Sequence, residues 1–421
     1  VNETGTAAAR AAGKRASAPR RSMDRALWAA PALSPSTRPH VGMMLHCMGA
    51  PPNLDQVTAH VSARLALLPA LRSLPAGSSW RIEADLDLAA HVREHRLAPG
   101  PASLETAASE LIGAPLPEQG PAWQLHLLHG HSEDGFALLY RVHHSLQDGG
   151  GILHTLETLF ADDTGTPSSA YPGFAQRPRV SMRAMTTAAG ALLGGARRSG
   201  IWASHPAGFS AERTHRWCEM PVDLLRRAAS ARGTTVNDVY LAALAHALTE
   251  GTQRLPSAPV PAAVPFLVPV NLRRPGEEDL PGNRVILASI AVPGGQCTAE
   301  ERLAMTPSAT TVLHSASLRE AMRRITALTP VVAMTEVLKT VSKPAHAAAL
   351  ASNLVLRRRL EFQGAPVTRV APVMWAPLGV PVATVLLTYR DTASVCFTLD
   401  PAMPGLDDLP ARWQATVTSW A

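Results

Sequence analysis

The chain has 421 residues, 46% apolar and 17% charged, with a formal net charge of +6 at pH 7. That length can fill two large hydrophobic cores, and that balance excludes a disordered or low-complexity polymer. The positive excess permits attraction to anionic surfaces and phosphate groups, but 5% aromatics and no base-reading motif argue against a nucleic-acid partner.

In chain order, residues 1–21 are rich in Ala and Arg and lack the apolar centre of a secretory signal, which predicts a disordered tail. Residues 54–68 space their apolar side chains as a helix does, 80–88 read as extended, and 104–112 read as a helix. Residues 123–128 and 136–142 predict two paired strands, with the turn in 130–135. After Gly149, Gly150 and Gly151, apolar residues at 152, 153, 156, 159 and 160 predict a further helix. Residues 162–206 carry Pro, Gly, Ser and Arg without periodicity and read as a linker between an N-terminal half, 22–161, and a C-terminal half, 207–421.

The second half begins with a predicted helix at 221–232. Thr234 or Thr235 then caps a helix over 236–249, with Asp238 in its first turn. Strands follow at 266–272 and 285–292, helices at 318–328 and 335–349, and closing strands at 382–388 and 394–399. Helices and strands mix in both halves without a βαβ rhythm, which predicts an α+β class, a mixed α/β sandwich. No uninterrupted apolar run approaches the roughly 18 to 20 residues of a membrane span. Cys47, Cys218, Cys297 and Cys396 are widely spaced, as in a reduced cytoplasmic protein. Lysine occurs only at 14, 339 and 343, so Arg supplies nearly all positive charge. With abundant Ala and Pro, this is the composition of a GC-rich, actinobacterial type of gene; Val1 fits an alternative start codon translated literally. Arg197-Arg198 and Arg357-Arg358-Arg359 are candidates for peripheral contact with a membrane or lipid droplet, a solvated basic face being the alternative.

The stretch His143-His144-Ser145-Leu146-Gln147-Asp148-Gly149 joins a predicted strand to a predicted helix. A neutral imidazole titrates near pH 6.5 and accepts a proton at neutral pH without large tuning. It suits an alcohol or amine that must lose a proton while attacking a carbonyl. Neighbouring strand residues point to opposite sides, so one histidine should face the reaction and the other brace the corner. Asp148 could fix a ring tautomer or pair with a distant Arg, and Gly149 clears space for a close approach. A metal site is disfavoured, since adjacent His on opposite faces converge poorly and no second ligand cluster stands out. Ser145 lacks the Gly-x-Ser-x-Gly frame of a nucleophile elbow.

This HHxxxDG sequence resembles the signature of acyltransferases related to chloramphenicol acetyltransferase and to peptide-synthetase condensation domains. Further segments resemble the bacterial wax ester synthase/diacylglycerol acyltransferase (WS/DGAT) family in order: Ser22-Met23-Asp24-Arg25, Pro69-Ala70-Leu71-Arg72, Pro121-Ala122-Trp123, Asn237-Asp238, Pro269-Val270-Asn271-Leu272-Arg273, Gly282-Asn283-Arg284, and Ser352-Asn353. The resemblance implies two chloramphenicol-acetyltransferase-like halves with a tunnel between them. It implies His144 as general base, with His143 and Gly149 completing the catalytic motif and Asp148 ordering the loop through an Arg. Asn237 would lie near the tunnel to position the acceptor or the developing oxyanion, and Asp238, Trp123, Pro121, Asn353 and Ser352 would join it in binding substrate. An acyl-CoA, or an acyl chain on a carrier protein, would be the donor, with no bound cofactor and no metal. A fatty alcohol or diacylglycerol would be the acceptor, giving wax ester or triacylglycerol. Transfer to an amine or a non-lipid alcohol in specialised metabolism is the alternative, and a non-catalytic lipid-binding relative the third reading. The sequence departs from the family pattern at Asn353-Leu354-Val355-Leu356-Arg357, where the family has a Pro-Gly turn.

Overall fold

The computed structural model describes residues 18–33, 38–162, 178–194, 201–202, 210–253, 261–341, 343, 346–376, 380–403 and 405–421. The strands are β1 (His40–Met48), β2 (Ser73–Ala76), β3 (Ser79–Ile82), β4 (Val92–Arg96), β5 (Trp123–His129), β6 (Gly135–His143), β7 (Thr214–Pro221), β8 (Ala263–Asn271), β9 (Val285–Pro293), β10 (Ala349–Leu356), β11 (Glu361–Phe362), β12 (Ala365–Met374), β13 (Val382–Tyr389) and β14 (Thr392–Leu399). The helices are α1 (Ser22–Leu33), α2 (Leu54–Arg64), α3 (Pro101–Gly113), α4 (Gly149–Phe160), α5 (Met182–Gly194), α6 (Val222–Ser230), α7 (Val236–Gln253), α8 (Ala299–His314), α9 (Ala316–Leu328), α10 (Val331–Val341) and α11 (Leu409–Trp420).

Two six-stranded sheets carry the molecule, in orders β11-β12-β1-β6-β5-β4 and β7-β14-β13-β10-β8-β9. This is the α+β, two-half architecture expected. Each sheet has its own core: Leu45, Trp123, Leu125 and Tyr140 in the first, Tyr240, Phe397 and Trp413 in the second. The β5–β6 hairpin follows the sequence reading, with Trp123 opposite Val142. β6 is buried on both faces from Phe136 onward because helices cover it: Leu138 and Tyr140 pack with Val57, Val61 and Ile152, and Ala137 and Leu139 with Leu104 and Ala108, which explains its mainly apolar run.

The sheets do not follow a division at 162–206. β11 and β12, from residues 361–374, cross into the first sheet, where β12 pairs antiparallel with β1 and sets Val41 opposite Met374. The crossing covers what would otherwise be an exposed edge of β1. The linker reading is also revised: Met182–Gly194 is a helix whose Ala184 and Ala188 pack with Ile286 and Ala288 of β9 and with Ala321 and Met322 of α9. Small alanines let α5 approach closely, and this spacing was hidden among Gly and Thr. Arg197 and Arg198 lie outside the described residues. Arg357 and Arg359 are exposed between β10 and β11.

The tail ends earlier than expected. Residues 1–17 lie outside the described residues, but Ala18 is buried, its carbonyl accepts from the Trp80 N–H at 2.7 Å, and the Arg20 guanidinium sits over the Trp28 and Trp80 rings at 5.7 and 5.1 Å. The extended reading of 80–88 holds only to Ile82. The helix read over 335–349 is α10, ending at Val341, and its last predicted residue instead opens β10. The segment lacking the Pro-Gly turn is β10 itself, parallel to both β13 and β8. Without the turn the strand runs on to Leu356. Among the described residues no helix is long and apolar enough to cross a membrane.

Candidate active site

β6 ends at His143, a turn carries His144 to Leu146, and Asp148 caps α4. The two histidines separate, as alternation predicts. His143 is buried; its Nδ1 accepts from the Ser145 N–H at 3.2 Å and lies 2.7 Å from the Ser145 Oγ, while its ring packs 4.9 Å from Trp28. Burial, with smaller contributions from His40, His144 and Arg20, pushes its pKa down to about 3. It is neutral and packed as a brace, with Ser145 fully buried against it.

His144 turns into a cavity. Its Nδ1 lies 3.0 Å from the Gln147 carbonyl, which can only accept, so Nδ1 carries the proton and Nε2 presents a lone pair. Gln147 is itself fixed, since its Oε1 accepts from the Tyr140 hydroxyl at 2.6 Å and its Nε2 donates to the Thr155 Oγ1 at 2.7 Å. Burial lowers the His144 pKa below its ordinary 6.5, opposed by the Gln147 carbonyl and by Asp148. The ring is therefore neutral at pH 7.

Asp148 joins the halves. Its Oδ1 accepts from the Gly151 N–H at 2.9 Å and from the Arg273 Nε at 3.1 Å, and its Oδ2 from the Arg284 N–H at 2.7 Å. Burial alone would raise its pKa, but the Arg273 charge and those N–H donors together hold it below the ordinary carboxylate value. Asn283 reaches the base directly: its Nδ2 lies 3.1 Å from the His144 Nδ1 and donates to the His144 carbonyl at 3.3 Å. The Asn283 N–H donates in turn to Asp24 Oδ1 at 2.6 Å, and the Arg21 N–H to Asp24 Oδ2 at 2.8 Å. Burial pushes Asp24 up to about 6 against those two bonds. Gly282 is required here, with φ +100° and a Cβ that would fall 2.7 Å from Asp24 Oδ2.

The cavity, about 540 Å³, lies between the sheets, lined by α1, β1, the start of α4, β8, β9, α10, β10, β12 and β13. Its wall is mainly apolar, with Met43, Leu287, Leu350 and Val385 among the lining side chains. Of the expected residues, His144, Gly149, Ser352 and Asn353 line it. Gly149 leaves room for Leu354, whose Cδ2 would stand 3.0 Å from an added Cβ. Asn237 is not on the wall; its Oδ1 accepts from Asn353 Nδ2 at 3.3 Å, and the Asn353 Oδ1 is buried without a hydrogen-bond partner.

Three expectations of substrate contact move to structural roles. Asp238 is buried, accepting from the Thr235 N–H at 2.9 Å and the Thr310 hydroxyl at 2.5 Å, so it caps α7 and ties it to α8. Trp123 is fully buried, donating Nε1–H to the Leu71 carbonyl at 2.7 Å and stacked 4.7 Å from His91. Pro121 lies beside it, its carbonyl accepting from the Trp123 N–H at 2.9 Å. Residue type alone does not separate a wall from the core behind it. Asn283, Asp24 and Arg273 were visible as motif positions, but their joint hold on the histidine loop was not. His40, on the wall opposite His143 in register, carried no sequence signal. No group of three or more His, Cys, Asp or Glu side chains among the described residues is arranged to hold a metal ion.

Two six-stranded sheets thus enclose one cavity with the HHxxxDG histidine on its wall. Residues 23–197 match the wax ester synthase/diacylglycerol acyltransferase catalytic domain. A Mycobacterium tuberculosis protein provisionally named a diacylglycerol O-acyltransferase is 31% identical over 333 residues, 64% of this chain and 65% of that protein. The chain thus spans about two thirds, 65%, of the length of this mycobacterial relative. The wax ester synthase/diacylglycerol acyltransferase of Marinobacter aquaeolei VT8 shares the fold, with TM-score 0.65, 21% identity, and 96% of this chain and 98% of that one covered. So does the first condensation domain of the calcium-dependent antibiotic synthetase, with TM-score 0.67, 18% identity, and 96% and 95% covered. The starter condensation domain of rhizomide synthetase, solved with C8-CoA, gives TM-score 0.66, 14% identity, and 97% and 95% covered. By sequence, the histidine-bearing part of this chain is similar to the wax ester synthase/diacylglycerol acyltransferase catalytic domain, and nearly the whole chain shares the fold of the Marinobacter aquaeolei protein.

Proposed function

We propose that this chain is an acyltransferase that moves a fatty acyl group from a thioester directly onto a hydroxyl, with His144 as general base. The observation that carries the reading is the Nε2 lone pair of His144, fixed by the Nδ1–H bond to Gln147 and facing an apolar cavity. An alcohol in the cavity gives its proton to Nε2 as its oxygen attacks the thioester carbonyl. The tetrahedral oxyanion collapses, the C–S bond breaks, and the imidazolium returns the proton to the leaving thiolate. No residue is acylated. Base assistance of this kind is worth about 10² to 10⁴ in rate. The cavity is within the size of small-molecule sites, about 300 to 1,000 Å³, and its apolar wall suits acyl chains. Asp148 and Arg273 hold the loop from behind the cavity, and Asn283 holds it from the cavity wall. Asn237 acts through Asn353, whose unpartnered oxygen offers a polar point to the acceptor.

The test is free-thiol release from palmitoyl-CoA by the purified chain, with hexadecanol, diacylglycerol and a panel of amines as parallel acceptors and His144→Ala as control. Histidine-dependent release with hexadecanol or diacylglycerol, matched by ester product, is expected. Release with amines alone, or only from a carrier-protein thioester, would move the chain to amide or ester formation in specialised metabolism. Release that persists in His144→Ala would remove the general base.

A further inference from the structure

His144 Nδ1 has two neighbours that make opposite demands on it. The Gln147 carbonyl, 3.0 Å away, can only accept, which puts the proton on Nδ1. The Asn283 amide nitrogen, 3.1 Å away, can only donate, and the amide is held that way round because its Oδ1 accepts from the Val285 N–H at 2.8 Å. Were Asn283 to prevail, Nδ1 would hold the lone pair, Nε2 would carry the proton, and the ring could not take one from an acceptor hydroxyl. The placement of one carbonyl therefore decides whether His144 is a base. A peptide group is planar, so its oxygen is aimed only when both flanking Cα atoms are held. On one side Asp148 caps α4. On the other, the Gln147 side chain enters the first core, where it is 2% exposed. There the Tyr140 hydroxyl donates to its Oε1 at 2.6 Å, and its Nε2 donates to Thr155 Oγ1 at 2.7 Å and to the Gly151 carbonyl at 3.4 Å. Gly151 admits it, since a Cβ there would stand 3.3 Å from Gln147 Cβ.

Tyr140 and Thr155 are fully buried, and neither they nor Gln147 line the cavity. A buried polar network is an expensive way to fill a core, because apolar residues of the same shape serve stability as well or better. We propose that Tyr140, Gln147 and Thr155 are positioning residues, which aim the Gln147 carbonyl at Nδ1 and hold His144 in its proton-accepting tautomer against Asn283; this rests on the acyl-transfer reading above. They touch no reacting atom and act through His144. As Nε2 takes the acceptor's proton, the ring becomes an imidazolium, and its Nδ1–H bond to the carbonyl becomes charge-assisted and stronger. An interaction that strengthens toward the transition state raises kcat rather than lowering KM.

The experiment compares the unaltered full chain with the near-isosteric Tyr140→Phe/Gln147→Met/Thr155→Val and with Thr155→Ser, which keeps the hydroxyl. Acyl transfer from palmitoyl-CoA is followed against pH. The tautomer of His144 is read from its ring nitrogens in ¹⁵N-histidine-labelled protein, identified by their absence in His144→Ala. The triple variant should keep its urea midpoint and its KM while kcat falls about tenfold, short of the 10⁴-fold or so that a wholly wrong tautomer costs. The share of rings with the proton on Nε2 should rise to match that loss. The Gln147 carbonyl raises the His144 pKa, so the acid limb of kcat/KM should also move to lower pH, with Asp148, the charged group acting on the ring, left in place. Thr155→Ser should retain most of the rate. Unchanged nitrogen signals and an unchanged acid limb in the folded triple variant would overturn the proposal, whatever the rate does. If the triple variant does not fold, Thr155→Val is judged on the same two signals. A tautomer shift in a protein that transfers no acyl group would keep the positioning role and discard the acyl-transfer reading. His144-dependent transfer with no tautomer shift in the variant would discard the positioning role and keep that reading.

Discussion

Asp148→Asn tests whether the motif's acid is a scaffold. The carboxylate is 0% exposed and receives three hydrogen bonds, from Gly151, Arg273 and Arg284. An Asn at this position can still cap α4 through its one oxygen, but its NH₂ then faces a donor, and the charge opposite Arg273 is gone. Breaking a buried pair by removing one partner costs about 3–5 kcal/mol when the other charge is stranded. Arg273 is not stranded, since it also donates to the carbonyls of Glu277 at 2.6 Å, Leu280 at 3.2 Å and Gly282 at 3.0 Å. The expected loss is therefore about 2–3 kcal/mol, a single strong charge-assisted bond or slightly more. Urea denaturation should show a lower midpoint with an unchanged slope. The sign follows from a depressed folded pKa: the stabilisation is fully present above the unfolded value of 3.8 and is lost as pH falls through the folded value. The gap between the two proteins should thus close in strong acid. Because Arg284 N–H and Asn283 share the loop that reaches His144, kcat should also fall, about 10²-fold for a misplacement near 1 Å. A variant as stable as the unaltered protein yet inactive would refute the scaffold and give Asp148 a direct chemical role.

Three further outcomes are expected. His144→Ala should lower kcat by about 10² to 10⁴ while changing stability by only about 1 kcal/mol, because the ring is half-buried and makes one hydrogen bond of its own; a rate within twofold of the unaltered protein would rule the base out. Burial lowers the His144 pKa, so the reactive neutral form persists below pH 6.5 and the acid limb of the kcat profile should lie under that value; a limb above 7 would contradict the burial seen here. Gly149→Ala should slow turnover modestly, since its Cβ meets Leu354 Cδ2 at 3.0 Å, and the double variant with Leu354→Ala should recover the rate; no recovery would place the defect elsewhere.

How far the sequence reaches is clearest at particular residues. The β5–β6 hairpin, the helix after Asp148 and the opposite orientations of His143 and His144 follow from local periodicity and strand alternation, which need no partner to be read. The motif series carries the family resemblance because each short segment fixes its own backbone. Local pattern fails where a segment's environment comes from far away. α5 hides in a stretch without period because only two alanines face the core. α8 is missed because Pro307 interrupts a helix that its Thr298–Glu301 capping box begins. β12 joins a sheet made mostly of residues more than 200 positions earlier, with Arg369 and Pro372 breaking its apolar run. The same limit divides the site. Asp148, Arg273, Asn283 and Asp24 stand in four separate motifs, and Trp123 and Asn353 look alike as motif residues. Only the packing of two sheets makes the first four one hydrogen-bonded frame around His144 and sends Trp123 into the core. The sequence by itself determined the histidine pair and the strand-to-helix loop that carries it, since these depend on neighbours in the chain. Tertiary structure decided what faces the cavity, because burial and partnership between residues 24, 148, 273 and 283 exist only once distant backbone has closed upon itself.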